Sequence, residues 1–241
     1  MLVIRDEQRI QKMRRLSQFM TLVGLAALIA GLVLAFTMDS VAVFIYQLLA
    51  LAVGLILSQI GVYLGHRYVR RPRPDQVIDD AIKKVIKKGR MYHYVLPTPH
   101  VLLTPQGIII FLAKYQVGEI KADGDKWTQK GIGMRRFFGQ ESLGNPTREA
   151  QIAVERLANY LRKNAPEVEE VPIAALIVFT TKEIKSLDVA KSNWPAMHYR
   201  KVKGYLKQQW QNQQETMDAE TYTAVQAAFD RRAEGIEPQK V

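Results

Sequence analysis

The chain contains no cysteine among its 241 residues. This absence excludes a disulfide framework, a thiol nucleophile and a cysteine-based zinc site, and it suits a reducing compartment. The four histidines are scattered along the chain and lack the spacing of a zinc site. We therefore predict that the chain binds no metal through these residue types.

The sequence also lacks the common motifs of nucleotide and cofactor chemistry. It has no phosphate-binding loop ending in Gly-Lys-Ser/Thr, no dinucleotide fingerprint, no Gly-x-Ser-x-Gly elbow and no His-Glu-x-x-His helix. These absences argue against the enzyme classes that depend on such motifs, and we predict no cofactor.

Charge is absent from two long stretches, residues 16–36 and residues 41–65. About 20 apolar residues in helical form cross the hydrocarbon core of a bilayer, so each stretch is long enough. Residues 37–40 leave room only for a tight turn between them. We predict two transmembrane helices and not a signal peptide, because the first stretch is too long for the apolar region of a signal peptide, lacks a small-x-small cleavage site and is followed by a second span.

The net charge of +11 is concentrated beside these two stretches. Residues 1–15 contribute +3 and residues 66–73 contribute +4, whereas the much longer segment 74–241 contributes only +5. A basic excess marks the cytoplasmic side of membrane helices. We expect a two-pass protein of the plasma membrane, with the lipid bilayer as a partner, both termini cytoplasmic and Asp39 outside.

Small residues recur at four-residue spacing in both predicted helices, which allows close helix packing. They are Ala27, Gly31 and Ala35 in the first helix, and Ala50, Gly54, Ser58, Gly61 and Gly65 in the second. This pattern fits packing within the hairpin, and alternatively self-association or contact with another membrane protein. Because neither span contains a charged residue, a transporter or channel is disfavoured.

A basic linker, 66–74, follows the second span and ends in Arg71-Pro72-Arg73-Pro74. It leads into an amphipathic helix predicted over 75–88, with Asp75 as N-cap. Four lysines share the polar face of this helix: Lys83, Lys84, Lys87 and Lys88. That face fits solvent or anionic lipid, and nucleic acid is a less favoured partner.

The segment 99–127 is the predicted centre of a cytoplasmic domain over 75–233. Two apolar β-type runs, Val101–Thr104 and Ile108–Ala113, flank a Pro-Gln-Gly turn. The second run has no polar alternation, which predicts a strand buried on both faces. Lys114 follows this strand, where a charge is typical either of a solvated strand end or of a chemical site.

A helix predicted to start at Asn145-Pro146 follows a glycine-rich segment, 131–144. Within that segment, Arg135 and Arg136 precede two phenylalanines, a pattern that fits single-stranded nucleic acid or a plain surface loop. An apolar strand over 172–180 comes next. Strand, helix and strand predict an α/β fold with a mixed sheet and flanking helices. Helices over 200–209 and 218–232 precede a tail, 234–241.

In this order, the motifs resemble the nuclease-related domain, a branch of the restriction-endonuclease-like nucleases. The similarity covers about residues 75–185. It rests on Pro105-Gln106-Gly107-Ile108, Ala113-Lys114, Gly118-Glu119-Ile120 with Trp127, and Asn145-Pro146. The resemblance implies a restriction-endonuclease-like fold and a metal-dependent cut of a phosphodiester bond. An Asp and a Glu would hold Mg²⁺, and a Lys two residues after the Glu would polarise water or phosphate.

This sequence keeps only part of that catalytic pattern. Lys114 takes the lysine position, but Leu112 stands where the resemblance expects the glutamate and Pro99 where it expects the aspartate. The position of a glutamine in the helix after Asn-Pro falls at Glu149. Leu and Pro side chains offer Mg²⁺ no oxygen. Three carboxylates on the following hairpin are candidates to rebuild a site: Glu119, Asp123 and Asp125.

The missing carboxylates predict a membrane-anchored and catalytically degenerate domain. We expect it to act in binding or scaffolding at the cytoplasmic face of the membrane, as an accessory subunit of a membrane complex. Two alternatives remain open at this stage. One is a membrane-tethered, metal-dependent nuclease, and the other is a nucleic-acid-binding module without catalysis.

Overall fold

The structure is a computed structural model that describes residues 1–37, 40–133, 141–212 and 217–240. These residues form two compact units. The globular unit combines 1–7 and 74–132 with the described part of 143–241, and the hairpin unit combines 8–73 with the described part of 133–142. The sequence-predicted Asp39, Arg135 and Arg136 lie outside the described residues.

The hairpin unit consists of two long helices followed by a π-helical turn. They are α1 (Glu7–Thr37), α2 (Val41–Leu64) and the turn Gly65–Val69. Ser40 caps α2, because the Val43 N–H donates to the Ser40 hydroxyl at 3.3 Å. Helix α1 starts at Glu7, so Arg9, Lys12, Arg14 and Arg15 lie on the same helix as the apolar stretch that follows them.

Both helices are long and apolar enough to cross a membrane. Their most apolar windows have mean hydropathies of 2.5 and 2.4, yet only 11% and 6% of the residues in those windows are buried. A core helix of a soluble protein would bury most of such a surface. Among the described residues, the exposed large apolar side chains all lie between positions 16 and 63.

Glycines bring α1 and α2 into close contact. A Cβ atom at Gly61 would lie 2.3 Å from the Thr21 hydroxyl, and one at Gly24 would lie 2.7 Å from the Ser58 amide nitrogen. The Ser17 hydroxyl donates to the Gly61 carbonyl at 2.9 Å. These contacts support the first of the two sequence-based interpretations, packing of the small residues within the hairpin.

The globular unit contains ten strands and four helices in its described residues. The strands are β1 (Leu2–Arg5), β2 (Arg90–His93), β3 (His100–Thr104), β4 (Gly107–Lys114), β5 (Gly118–Gly124), β6 (Lys126–Lys130), β7 (Ile173–Phe179), β8 (Ile184–Ser192), β9 (Ala196–His198) and β10 (Gln239–Lys240). The helices are α3 (Pro74–Ile82), α4 (Pro146–Asn164), α5 (Tyr199–Asn212) and α6 (Ala219–Arg232).

Seven strands form one mixed sheet in the order β10-β1-β2-β3-β4-β7-β9, and three form a second sheet in the order β6-β5-β8. Strands β4 and β7 are parallel neighbours, and α4 connects them through the intervening chain. This arrangement confirms the predicted α/β class with a mixed sheet and flanking helices. It also confirms the strands predicted at 101–104, 108–113 and 172–180.

The seven-stranded sheet separates two apolar cores, and β4 contributes alternate residues to each. Ile108 and Ile110 pack in the core that contains α4 and α6. Ile109 and Phe111 pack in the core that contains α3 and α5. We call these two sides of the sheet the α4 side and the α3 side.

The predicted helix over 75–88 is shorter than expected. Helix α3 starts at Pro74 and ends at Ile82, so Lys83, Lys84, Lys87 and Lys88 follow the helix and do not form one face of it. Lysines three and four residues apart repel one another in a helix, which disfavours its extension. Asp75 was predicted as N-cap, but it lies inside α3 and is fully buried.

The N-terminal segment was predicted as a basic flank, but its first residues form a strand of the seven-stranded sheet. Leu2–Arg5 forms β1, which pairs in parallel with β2 and antiparallel with β10. The seven-stranded sheet therefore includes residues from outside the predicted domain of 75–233. Val3 and Ile4 are 0% and 1% exposed and enter opposite cores.

Candidate functional site

The residues that the sequence assigns to the nuclease position lie at the ends of β3 and β4. The antiparallel register pairs Val101 with Ile110, and Pro99 and Leu112 each lie two residues beyond this pair along the chain. Leu112 and Lys114 are two residues apart on one strand, so they share the α4 side. Leu112 packs against the core on this side of the sheet.

Lys114 is almost fully buried, with 3% of its side chain exposed. Its ammonium donates to the Glu149 carboxylate at 2.6 Å and to the Leu143 carbonyl at 3.2 Å. A buried ammonium requires such partners, because desolvation of an uncompensated charge is costly. Lys114 is therefore part of an internal ion pair at the end of β4.

The start of α4 positions Glu149. The Asn145 side chain accepts from the Arg148 N–H at 3.1 Å, and Pro146 occupies the first turn. These are the N-cap and first-turn preferences that the sequence predicted. Glu149 lies in that first turn, where a carboxylate is also favoured by the helix dipole. The Asn-Pro signal thus places a carboxylate beside Lys114.

The residues at this position do not fit a Mg²⁺ site. Mg²⁺ binds through several hard oxygen ligands in octahedral geometry. Pro99 and Leu112 contribute no side-chain oxygen, and the nearby carboxylate of Glu149 already accepts from Lys114. Across the described residues, no group of three or more His, Asp or Glu side chains converges as a metal site would require.

The three carboxylates proposed as replacements have other surroundings. Glu119 and Asp123 are exposed on β5, whereas Ile120 and Ala122 on the same strand are buried. Asp125 lies between β5 and β6, where its carboxylate accepts from Asn193 at 2.8 Å. Nothing in these contacts directs the three side chains toward the Lys114–Glu149 pair.

A buried polar network on the α3 side was not predicted from the sequence. Arg5 of β1 forms ion pairs with Asp75, at 2.8 Å, and with Asp79. The second oxygen of Asp79 lies 2.9 Å from His93 Nε2, and His93 Nδ1 lies 2.9 Å from His100 Nδ1. The two aspartates and the two histidines of this network are at most 5% exposed. The network joins β1, α3, β2 and β3.

The two histidine contacts fit an arrangement in which His93 donates from Nε2 to Asp79 and accepts at Nδ1 from the Nδ1–H of His100. Arg5 faces two carboxylates. The sequence signal for this network was the presence of two aspartates, Asp75 and Asp79, four residues apart on the apolar face of α3. Their partner Arg5 lies seventy residues before Asp75 in the chain.

The four lysines after α3 are all exposed. Lys83 donates to Asp80 at 2.6 Å, and this hydrogen bond, together with the negative charge of Asp80, raises the pKa of Lys83. An exposed pair of this kind contributes little to stability. These exposed lysines remain available to an anionic partner. Lys114 is not available, because it is buried and paired with Glu149.

The Lys114–Glu149 pair can be tested by a double-mutant cycle. We expect Glu149→Gln to lower the free energy of unfolding by about 1–3 kcal/mol, because a buried ammonium loses its charged acceptor. The partial exposure of Glu149 limits the effect. Adding Lys114→Met should recover most of the loss. Denaturant unfolding of the full chain in detergent measures the free energy of unfolding of the single and the double variant. The exposed Glu155→Gln is the control. Equal effects of Glu149→Gln and Glu155→Gln would contradict the pairing.

Comparison with known proteins gives one match. A family profile described as the nuclease-related domain, NERD, matches residues 79–180. Neither curated proteins nor solved structures gave a match. The matched segment begins within α3 and ends just after β7, and it includes the Lys114–Glu149 pair. Residues 79–180 of this chain therefore match the nuclease-related domain family.

Proposed function

We propose that this protein is a membrane-anchored nuclease-related domain that does not cut nucleic acid and acts in binding or scaffolding at the cytoplasmic face of the plasma membrane. The observation that supports this proposal is the set of residues at the nuclease position. Pro99 and Leu112 replace the expected carboxylates, and Glu149 engages the remaining lysine at 2.6 Å.

The chemistry of phosphodiester cleavage explains why this set matters. Metal-assisted cleavage needs a cation that activates water and stabilises negative charge on the phosphate. Without two oxygen ligands at Pro99 and Leu112, the domain has no evident way to hold that cation. Lys114 is buried and neutralised, so its charge is not presented to a phosphate. A domain with these residues keeps the fold and has lost the means of catalysis.

The membrane part of the proposal follows from the two apolar helices and their flanks. The helices expose apolar side chains along their length. The excess of Lys and Arg before residue 16 and after residue 65 supports a cytoplasmic location for both flanks. The globular unit then lies in the cytoplasm, and the turn between the helices lies outside. Partners would be other membrane proteins or further copies of this chain.

A metal-dependent nuclease is the second candidate, because one observation favours it. Glu149 is a carboxylate beside the lysine of the expected catalytic pattern, and its side chain is 40% exposed. It could serve as one ligand of a displaced site if Lys114 released it. This candidate still needs a second carboxylate, which Glu119, Asp123 or Asp125 would have to supply.

A cleavage assay separates the two candidates. We expect the full chain in detergent to leave single- and double-stranded DNA and RNA intact in the presence of Mg²⁺ or Mn²⁺. The matched variants are Lys114→Ala and Glu149→Gln. Metal-dependent cutting that both substitutions abolish would contradict the proposal and establish the nuclease. Binding of nucleic acid without cutting would instead support a non-catalytic nucleic-acid-binding module.

A further inference from the structure

The outer surface of the α3 side is strongly basic. Eight exposed cations lie on α5 or on the segment that follows α3: Lys83, Lys84, Lys87, Lys88, Arg200, Lys201, Lys203 and Lys207. Helices α3 and α5 pack against each other through Ile78, Ile82, Val202 and Leu206. The eight cations therefore belong to one layer, which we call the basic face.

Acidic residues do not balance this face. Helix α5 contains no Asp or Glu, and the only exposed carboxylate of α3 is Asp80. The other two carboxylates of α3, Asp75 and Asp79, are buried against Arg5. Elsewhere in 74–241, 17 basic residues are matched by 17 acidic ones. The excess charge of the globular unit is thus concentrated on one side of the sheet.

The basic face lies on the opposite side of the sheet from the nuclease position. Lys114 and Glu149 are on the α4 side, where the charge of Lys114 is already neutralised. The segment after α4 exposes three glutamates: Glu167, Glu169 and Glu170. A polynucleotide held by the basic face would therefore lie away from the nuclease position. This segregation favours a different polyanion as the partner.

We propose that the basic face binds the anionic phospholipid headgroups of the cytoplasmic leaflet. The inference rests on the proposed membrane anchoring. The chain passes from α2 through the basic segment 66–73 directly into α3, so a short tether keeps the face at a high effective concentration near the bilayer. Lysines attract an anionic leaflet without a specific geometry, and each contributes about a fivefold change in binding.

The absence of native cysteine makes a site-specific test possible. A fluorophore on Gln208→Cys reports on the basic face, and one on Gln151→Cys reports on α4 as the control position. Both positions are exposed. The full chain is reconstituted in nanodiscs whose lipids bear a spin label on the headgroup, with or without anionic phosphatidylglycerol. Quenching of the fluorophore measures the approach of each surface to the headgroups.

We expect strong quenching at position 208 only in anionic discs, and its loss at about 1 M salt, where screening extends to about 3 Å. Replacing four lysines of the basic face by glutamine should lower the ratio of headgroup-bound to unbound protein by more than about a hundredfold. These are Lys84→Gln, Lys87→Gln, Lys203→Gln and Lys207→Gln. The matched variant on α4 should have no effect: Arg148→Gln, Arg156→Gln, Arg162→Gln and Lys163→Gln.

Three results would overturn the inference. They are equal quenching in neutral and anionic discs, equal effects of the two quadruple variants, and binding of nucleic acid that the first variant removes while quenching stays unchanged. Each leaves the proposed function intact if the chain inserts into discs and does not cut nucleic acid. Failure to insert, or metal-dependent cutting, would instead contradict the proposed function itself.

Discussion

Replacing Arg5 by alanine should lower the free energy of unfolding of the globular unit by about 3–5 kcal/mol, because it leaves two buried carboxylates without their cation. Asp75 is 0% and Asp79 is 5% exposed. Neither can turn to solvent without disturbing α3. Arg5→Lys should recover only part of the loss, since a single ammonium cannot reproduce the two-pronged contact of a guanidinium.

Denaturant unfolding of the full chain in nanodiscs, followed by tryptophan fluorescence, measures this effect. The exposed Arg14→Ala is the matched control, because it removes the same charge from the same end of the chain. A second control combines Arg5→Met with Asp75→Asn and Asp79→Asn, which removes the charges together and should restore part of the stability. If Arg5→Ala and Arg14→Ala behave alike, the network does not stabilise the fold.

The sequence predicted the elements whose signals are local. The Pro-Gln-Gly turn fixed the β3–β4 hairpin, and Asn145-Pro146 fixed the start of α4. The apolar runs of β4 and β7 needed no knowledge of their partners, because a strand covered on both faces has no polar alternation. Each of these features depends on residues within a few positions of one another.

The helix contacts show where a simple spacing rule fails. Ala27, Gly31 and Ala35 are four residues apart, and each such step rotates about 40° around a helix of 3.6 residues per turn. Ala35 therefore lies on the exposed face, whereas Gly24 and Gly31, seven residues apart, stay on the contact face. The four-residue pattern read from the sequence does not include Gly24, which contacts the second helix.

Long-range partners could not be read from the sequence. The stretch Leu2–Arg5 is too short to stand out beside the basic residues that follow it, and its partner strand begins at Arg90. The same limit applies to the site. The strand signal placed Leu112 and Lys114 on one strand, but Leu143 and Glu149 reach Lys114 only through the folded path of the intervening chain.

A chain that begins at Pro74 should fail to fold, whereas one in which a flexible linker replaces 8–73 should fold. The first lacks β1, and with it the buried side chains of Val3 and Ile4 as well as Arg5. Burial of the two apolar side chains contributes about 1.5–3 kcal/mol each, and loss of Arg5 costs about 3–5 kcal/mol. The total is comparable to the whole stability of an ordinary domain, about 5–15 kcal/mol.

The linker variant joins Glu7 to Pro74 through about eight Gly and Ser residues, which span roughly 16 Å on average. That length is sufficient because the Arg5 guanidinium lies 2.8 Å from Asp75. Size-exclusion chromatography and thermal unfolding compare the two chains in the absence of detergent. A linker variant that also bears Arg5→Ala isolates the ion pairs from the strand. Equal folding of the Pro74 chain and the linker variant would mean that β1 is dispensable. A difference would mean that the two-helix hairpin is inserted between β1 and the rest of its own domain.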